Sequence, residues 1–423
     1  MNQMTTSTTP LISVEQIFQA KMRLKGIAEQ TPLLYNHNLS EKYQADIYLK
    51  REDLQMVRSY KLRGAYNKMS TLDREVLDRG VVCASAGNHA QGVAYACRKL
   101  RVSGKVYMPS VTPQQKVKKV RLFGKEFVEV ILTGDTFDDA YEQAKIDAED
   151  NQKTFIHPFN DERVMEGQGT VGLEILEDAD GPIDVLMAAV GGGGLLSGLG
   201  SYFKQVSPHT RLIGVEPAGA PAMATSIQQN KLVTLEHIDP FVDGAAVKRV
   251  GEKTFAIARQ VIDEMILVDE GFVCSTILSL YNEEGLVVEP AGALAIAALD
   301  QVADQIKGKR VVCVVSGGNN DITRTEEIRE RALLHEGRKH YFIIRFPQRA
   351  GALRDFLNNV LGPQDDITHF EYTKKHNRES GPALVGIQVP DKADYRRLMD
   401  RMDANHINYQ HLNDSRMLFD LLI

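Results

Sequence analysis

The 423-residue chain has room for two or three domains, and its 43% apolar and 25% charged residues are ordinary for a globular protein. A net charge of −6, with no basic block and no basic-aromatic stripe, argues against nucleic-acid binding. Cys83, Cys97, Cys274 and Cys313 are widely spaced and form no C-x-x-C pair, which argues against a zinc site or disulfide framework and fits buried thiols in a reducing, cytoplasmic compartment.

Residues 1–10 are Thr/Ser-rich, without the basic start or apolar core of a signal peptide, and read as a disordered tail. From about Thr31 to Asn320, β-rich runs alternate with helical patterns. Asp46–Lys50, Gly80–Ala84, Lys105–Met108, Phe127–Ile131, Val185–Val190, Leu212–Val215 and Val311–Val315 are predicted strands, and Gly87–Leu100 and Gln114–Phe123 predicted helices. Continuous apolar runs such as Val311–Val315 suit strands covered on both faces of a parallel sheet, so the alternation predicts a doubly wound α/β architecture. Val185–Phe203 is uncharged and long enough to mimic a membrane span, but its four central glycines point to a strand, a tight turn and a helix.

Residues 323–338 form a charged connector helix. Beyond it His340–Phe346 reads as a strand, Gly351–Val360 as a helix, Ile367–Thr373 and Ala383–Val389 as strands around the polar loop Lys374–Gly381, and Ala393–Asn405 as a helix with Leu398, Met399 and Met402 near one face. A closing strand is expected near Met417–Leu421. This β-α-β-β-α-β order is the ferredoxin-like arrangement, and it carries no carboxylate pair, metal-ligand cluster or nucleophile elbow, which suits a sensor or interaction module.

Three predicted strands end in Gly- or Ser-rich turns: Ala84 leads to Ser85-Ala86-Gly87-Asn88, Val190 to Gly191-Gly192-Gly193-Gly194, and Val315 to Ser316-Gly317-Gly318-Asn319. Ligands of open α/β sheets bind at the carboxyl ends of strands, so these turns are expected to converge. The glycine run precedes a helix, where backbone N–H groups can surround a phosphate. It lacks the G-x-G-x-x-G spacing of a dinucleotide site and the Lys-Ser/Thr of a nucleotide P-loop. Asn88 reads as a helix cap or as an amide donor to a ring hydroxylate, with Ser85 and the neighbouring N–H groups placed for a substrate carboxylate. His89 reads as a structural hydrogen-bonding residue before a base, and Ser316 as a turn residue or a hydroxyl facing a pyridine nitrogen. Lys61, in Ser59-Tyr60-Lys61-Leu62-Arg63-Gly64-Ala65, supplies an amine able to form a Schiff base with a phosphorylated aldehyde.

Five segments in order, Ser59–Tyr66, Ser85–Gly92, Glu166–Thr170, Gly191–Leu195 and Ser316–Asn319, resemble the threonine dehydratase family of pyridoxal-phosphate enzymes, with its two-lobed, tryptophan-synthase-β-like fold. The resemblance runs from about Leu11 to Asn320, and the part from His340 onward looks like the ACT-like regulatory domain of the biosynthetic type. It implies a catalytic domain over residues 11–322 and a regulatory domain over 339–423. It implies that Lys61 carries pyridoxal 5'-phosphate, that Asn88 contacts the ring hydroxyl, Gly191, Gly192, Gly193, Gly194 and Leu195 the phosphate and Ser316 the ring nitrogen, and that Ser85, Ala86, Gly87, Asn88 and His89 meet the substrate. The expected reaction is conversion of L-threonine to 2-oxobutanoate and ammonia, the first step of isoleucine synthesis, in a homotetramer with isoleucine or valine as effector.

Serine racemases of this fold carry serine at the second position of the Ser85–Asn88 loop, where this chain has Ala86. Relatives that bind a cation carry an acidic residue six positions after the glutamate corresponding to Glu216, where this chain has Ala222, so no metal is expected. Tyr60 stands where related enzymes often have phenylalanine, and the tail has length for one ACT-like unit, not two. Other readings of the same segments are a serine dehydratase, a racemase or another pyridoxal-phosphate β-elimination enzyme, and an amino-acid sensor without chemistry.

Overall fold

The computed structural model of the chain describes residues 9–372, 379–413 and 419. It divides into two compact units, one running to Glu270 and resuming over Leu280–Asp321, the other made of Gly271–Ser279 and the chain from Ile322 onward. The expected tail over residues 1–10 lies outside the described residues except for its last two.

The first unit holds β1 (Leu33–Tyr35), β2 (Asp46–Arg51), β3 (Val81–Ala84), β4 (Gly104–Met108), β5 (Val128–Leu132), β6 (Thr154–Phe155), β7 (Val185–Ala189), β8 (Arg211–Pro217), β9 (Glu264–Val268) and β10 (Arg310–Val315). They form two sheets, in the orders β1-β2-β10-β7-β8-β9 and β5-β4-β3-β6. All pairings are parallel except that of β1 with β2. Parallel strands need helical crossovers on the sheet faces, which is why β7 and all but the first residue of β10 are buried. The two sheets make the two lobes of an α/β fold, as predicted. β1, β6 and β9 are not among the predicted strands. All three lie at sheet edges; β1 and β6, three and two residues long, are too short to show a strand pattern, whereas β9 carries the apolar run Met265–Val268, which was passed over. Val185–Phe203 is the strand β7, a glycine turn and part of the helix Gly194–Val206, and among the described residues no helix is long and apolar enough to cross a membrane. The four cysteines are buried thiols, as expected.

In the second unit the helix Thr325–His335 is followed by β11 (Lys339–Pro347), β12 (Asp366–Tyr372), β13 (Ser380–Gln388) and β14 (Tyr409–His411), with the helices Ala352–Asn359 and Lys392–Ala404 between them. The antiparallel order β12-β13-β11-β14 is the ferredoxin-like topology that the ACT-like reading requires. Phe342, Ile344, Phe346, Val385 and Ile387 of the sheet pack with Leu398 and Met402 of the second helix, and Met399 lies beside them. Residues 374–378 of the predicted loop and Thr373 of the strand predicted before it lie outside the described residues, as does the range predicted for the closing strand except Phe419, which is helical; the edge strand is the earlier β14.

One buried ionic cluster organises the first unit. Arg63, 1% exposed, donates to both oxygens of Glu52 at 2.8 Å and to both oxygens of Glu174 at 2.6 and 2.8 Å. Lys50 donates to Glu174 at 2.8 Å, and Thr31 to Glu52 at 2.5 Å. Burial by itself would push the Glu52 carboxyl up; Arg63 and Lys50 outweigh it and hold it below the usual carboxylate range. Two cations and two carboxylates cancel, and each is hydrogen-bonded, the condition under which buried charge is tolerated. Glu174→Ala, which strips Arg63 and Lys50 of a shared partner, is expected to cost about 3–5 kcal/mol in urea unfolding. Loss of less than about 1 kcal/mol would mean that the cluster does not hold the fold.

Candidate active site

Lys61 is the first residue of the helix Lys61–Ser70. That helix approaches the helix Glu162–Asp178 so closely that a Cβ on Gly167 would lie 2.6 Å from the Arg63 carbonyl oxygen, and one on Gly64 would lie 2.7 Å from that of Val164. On its other side the helix Glu162–Asp178 meets the helix Gly194–Val206, where a Cβ on Gly198 would lie 2.3 Å from the Met165 carbonyl oxygen. The Glu166–Thr170 segment therefore acts through packing. Its small residues link the lysine helix to the helix that follows the glycine run.

The Lys61 amine donates to the Pro158 carbonyl at 3.2 Å and lies 5.3 Å from the centre of the Tyr60 ring. Burial lowers its pKa from 10.5 to about 8, against the pull of the nearby Glu289 carboxylate. Pro158 belongs to a turn shaped by His157, whose Nδ1 accepts the backbone N–H groups of Phe159 at 3.2 Å and Asn160 at 2.9 Å. Burial lowers the His157 pKa to about 4, so the ring is the neutral acceptor this turn needs. The next residue, Phe159, lies against the glycine run: a Cβ on Gly192 would sit 2.2 Å from its ring, and one on Gly194 2.9 Å from its Cβ.

The glycine run joins β7 to the helix Gly194–Val206. Gly193 is its N-cap, at φ +90°, a conformation that favours glycine. Among the described residues no side chain caps this helix, so its first N–H groups face the turn. Thr254 donates to the Gly192 carbonyl at 2.6 Å and steadies the loop. A buried helix start without a side-chain cap, lined by glycines, has the shape and polarity of a phosphate cradle.

Asn88 is the first residue of the helix Asn88–Leu100 and does not cap it. Its Nδ2 donates to Glu289 Oε1 at 2.6 Å, and its Oδ1 accepts from Asn319 Nδ2 at 2.7 Å. The helix lies on the start of the lysine helix, where a Cβ on Gly92 would be 3.0 Å from the Leu62 nitrogen. Gly87 precedes Asn88 with open space where a side chain would be, and its N–H donates to Ser85 Oγ at 3.1 Å. Ala86 lies in the same half-buried loop. His89 is buried and donates through Nε2 to the Ile156 carbonyl at 2.8 Å; burial and the Lys61 charge lower its pKa to about 3. Its ring is committed to structure, as the structural reading expects, which leaves its backbone N–H as the group able to meet a substrate.

Ser316 follows β10, 2% exposed, with Oγ donating to the Ala291 carbonyl at 3.2 Å. The Tyr60 N–H donates to the Ser316 carbonyl at 3.2 Å, and Ser59 bridges to Gly317, so this turn is tied to the residues just before Lys61. The three strand-end turns and Lys61 are thus joined through shared neighbours. Sequence reasoning missed Glu289 and the His157–Asn160 turn. Neither belongs to a glycine-rich strand end, and a lone Glu before Pro290 gives no signal beyond a helix start. Glu216, weighed as a cation ligand, spends both oxygens on the N–H groups of Met223 at 2.7 Å and Ala224 at 2.8 Å, and burial raises its pKa to about 8.

Residues 24–317 match the family of pyridoxal-phosphate-dependent enzymes, and residues 330–422 match the C-terminal regulatory domain of threonine dehydratase. The chain is 59% identical to the biosynthetic L-threonine dehydratase IlvA of Bacillus subtilis over 413 residues, 98% of each chain. Among solved structures it is similar to the processed form of threonine deaminase isoform 2 from Solanum lycopersicum, at 40% identity and TM-score 0.71 over 77% of this chain and 96% of that one. It is also similar to maize serine racemase, at 29% identity and TM-score 0.71 over 77% of this chain and 98% of that one. With 59% identity to a relative over nearly its whole length and a matching regulatory domain, the chain belongs to the threonine dehydratase family of pyridoxal-phosphate-dependent enzymes.

Proposed function

We propose that this protein dehydrates and deaminates L-threonine to 2-oxobutanoate and ammonia, as the first step of isoleucine synthesis. It does so in the cytoplasm as a homotetramer, with isoleucine or valine acting through the C-terminal domain. The observation that carries the reading is Lys61: a half-buried lysine with a lowered pKa, joined by the Pro158–Phe159 turn to an uncapped glycine-rich helix start. The near-full-length identity to a biosynthetic dehydratase supports the choice of threonine. Maize serine racemase shares the fold at the same TM-score, so serine chemistry is the second reading; Ala86 in place of the racemase serine speaks against racemisation.

Lys61 would hold pyridoxal phosphate, the Gly191–Leu195 N–H groups its phosphate, the Asn88 amide its ring oxygen and Ser316 its ring nitrogen. When bound, the cofactor supplies a conjugated sink for the electron pair left at Cα. The N–H groups of the Ser85–His89 loop would orient the substrate carboxylate. With the substrate amine in its place on the cofactor, Lys61 would take the Cα proton on Nζ, and burial keeps a useful fraction of that amine neutral. The proton taken from Cα balances the one the β-hydroxyl needs to leave as water; return of the Lys61 amine to the cofactor would release the aminocrotonate, which tautomerises and takes up water to give 2-oxobutanoate and ammonia. Every residue given a part here belongs to the first unit.

Three outcomes test the reading. In cofactor-free protein, Lys61 should be protonated and inert to a small acylating reagent below pH about 8 and reactive above it, while surface lysines respond nearer their ordinary 10.5. Mass spectrometry of the Lys61 peptide against pH reads this, and a surface-like midpoint would contradict the burial argument. Purified protein with pyridoxal phosphate should show a visible band that changes on adding L-threonine, with 2-oxobutanoate formed in the same cuvette. Lys61→Ala should lose both, and a band with no keto acid would redirect the search to serine or to sensing. Isoleucine should raise the apparent threonine requirement, by a coupling of about 1–3 kcal/mol. Removal of residues 339–423 should abolish that effect, and unchanged kinetics in both tests would remove the regulatory role.

A further inference from the structure

Glu289 has no part in the scheme above, yet it is the hub of the site's polar contacts. It is 5% exposed and precedes the helix Pro290–Ala297. Oε1 accepts from Asn88 Nδ2 at 2.6 Å, and Oε2 accepts the Asn319 backbone N–H at 3.2 Å. Asn319 closes the ring by donating its side-chain Nδ2 to Asn88 Oδ1 at 2.7 Å and to the Val57 carbonyl at 2.8 Å. The Lys119 amine in turn donates to Asn319 Oδ1 at 3.3 Å, which fixes which end of the Asn319 amide is the acceptor. The contact of Glu289 with Asn88 also needs Gly317, since a Cβ there would lie 2.3 Å from Oε1.

Both ends of the Asn88 amide are therefore assigned. Burial raises the Glu289 carboxyl to about 7, and above that pH an amide flip would set the Asn88 carbonyl oxygen against a carboxylate and its NH2 against a donor. Nδ2 carries two N–H groups, and the carboxylate takes one, leaving the other in a single direction. We propose that Glu289, with Asn319, is a positioning residue that locks the Asn88 amide in one orientation and so presents its second N–H to the cofactor ring oxygen. This rests on the role proposed for Asn88.

A double-mutant cycle on pyridoxal-phosphate affinity, read by the visible absorption of the bound cofactor, tests it. Glu289→Gln keeps the shape but sets a donor against a donor, either Asn319 N–H or Asn88 Nδ2. It should weaken cofactor binding by about tenfold when Asn88 is present and by less than about twofold in an Asn88→Ala background. Asn319→Ala should follow the same pattern, which keeps the test open if one variant folds poorly. Thermal unfolding of the cofactor-free variants separates a general loss of structure from the coupling. Equal losses in both backgrounds, or no loss in either, would overturn this inference alone. A parent protein that shows no cofactor absorption would overturn the proposed function and this inference together.

Discussion

A guanidinium with almost no contact with water sets the terms for this fold. Arg63 cannot shed its charge, so burying it demands that Glu52 and Glu174 reach it from two other segments, and Lys50 must balance the second carboxylate. Those partners fix the rotation of the lysine helix about its axis. Lys61 lies two residues earlier on the same helix, so its direction follows from a charge balance that touches none of the proposed chemistry.

Around that anchor the site is assembled by close backbone approach. Glycines at 64, 167 and 198 let three helices touch at distances a Cβ would forbid, and Phe159 fills the space that side chains at 192 and 194 would need. The result is a stiff frame in which the lysine, the uncapped helix start and the Asn88 turn share neighbours. Stiffness would serve the proposed chemistry, in which a proton removed from Cα has to meet one amine at one angle. Neutral His89 and His157, both held below their ordinary pKa by burial, serve as hydrogen-bonding scaffold.

The second unit has its own apolar core and sheet, and its edge strand β14 pairs with β11 over three residues. Among its described residues no cluster of His, Cys, Asp or Glu could hold a metal ion. Its value to an enzyme at the start of a biosynthetic route is that a second ligand can report on supply.

The α/β alternation, the ferredoxin-like order and the strand-end turns that carry Asn88, Gly191–Leu195 and Ser316 were legible in the sequence. Apolar runs and strand-end glycines are local signals, and each turn carries its own residue types. The short edge strands β1 and β6 were not legible, because a strand of two or three half-exposed residues has no periodicity to detect. The Glu166–Thr170 segment was visible as a motif, but its reason, helix packing on two sides, was not. What only the tertiary structure decided is which distant groups meet: Glu289 on Asn88 across 201 positions, and Glu174 on Arg63 across 111. Single glutamates give no pattern along a chain. Their meaning comes from the partner that burial forces on them, and burial is a property of the folded chain.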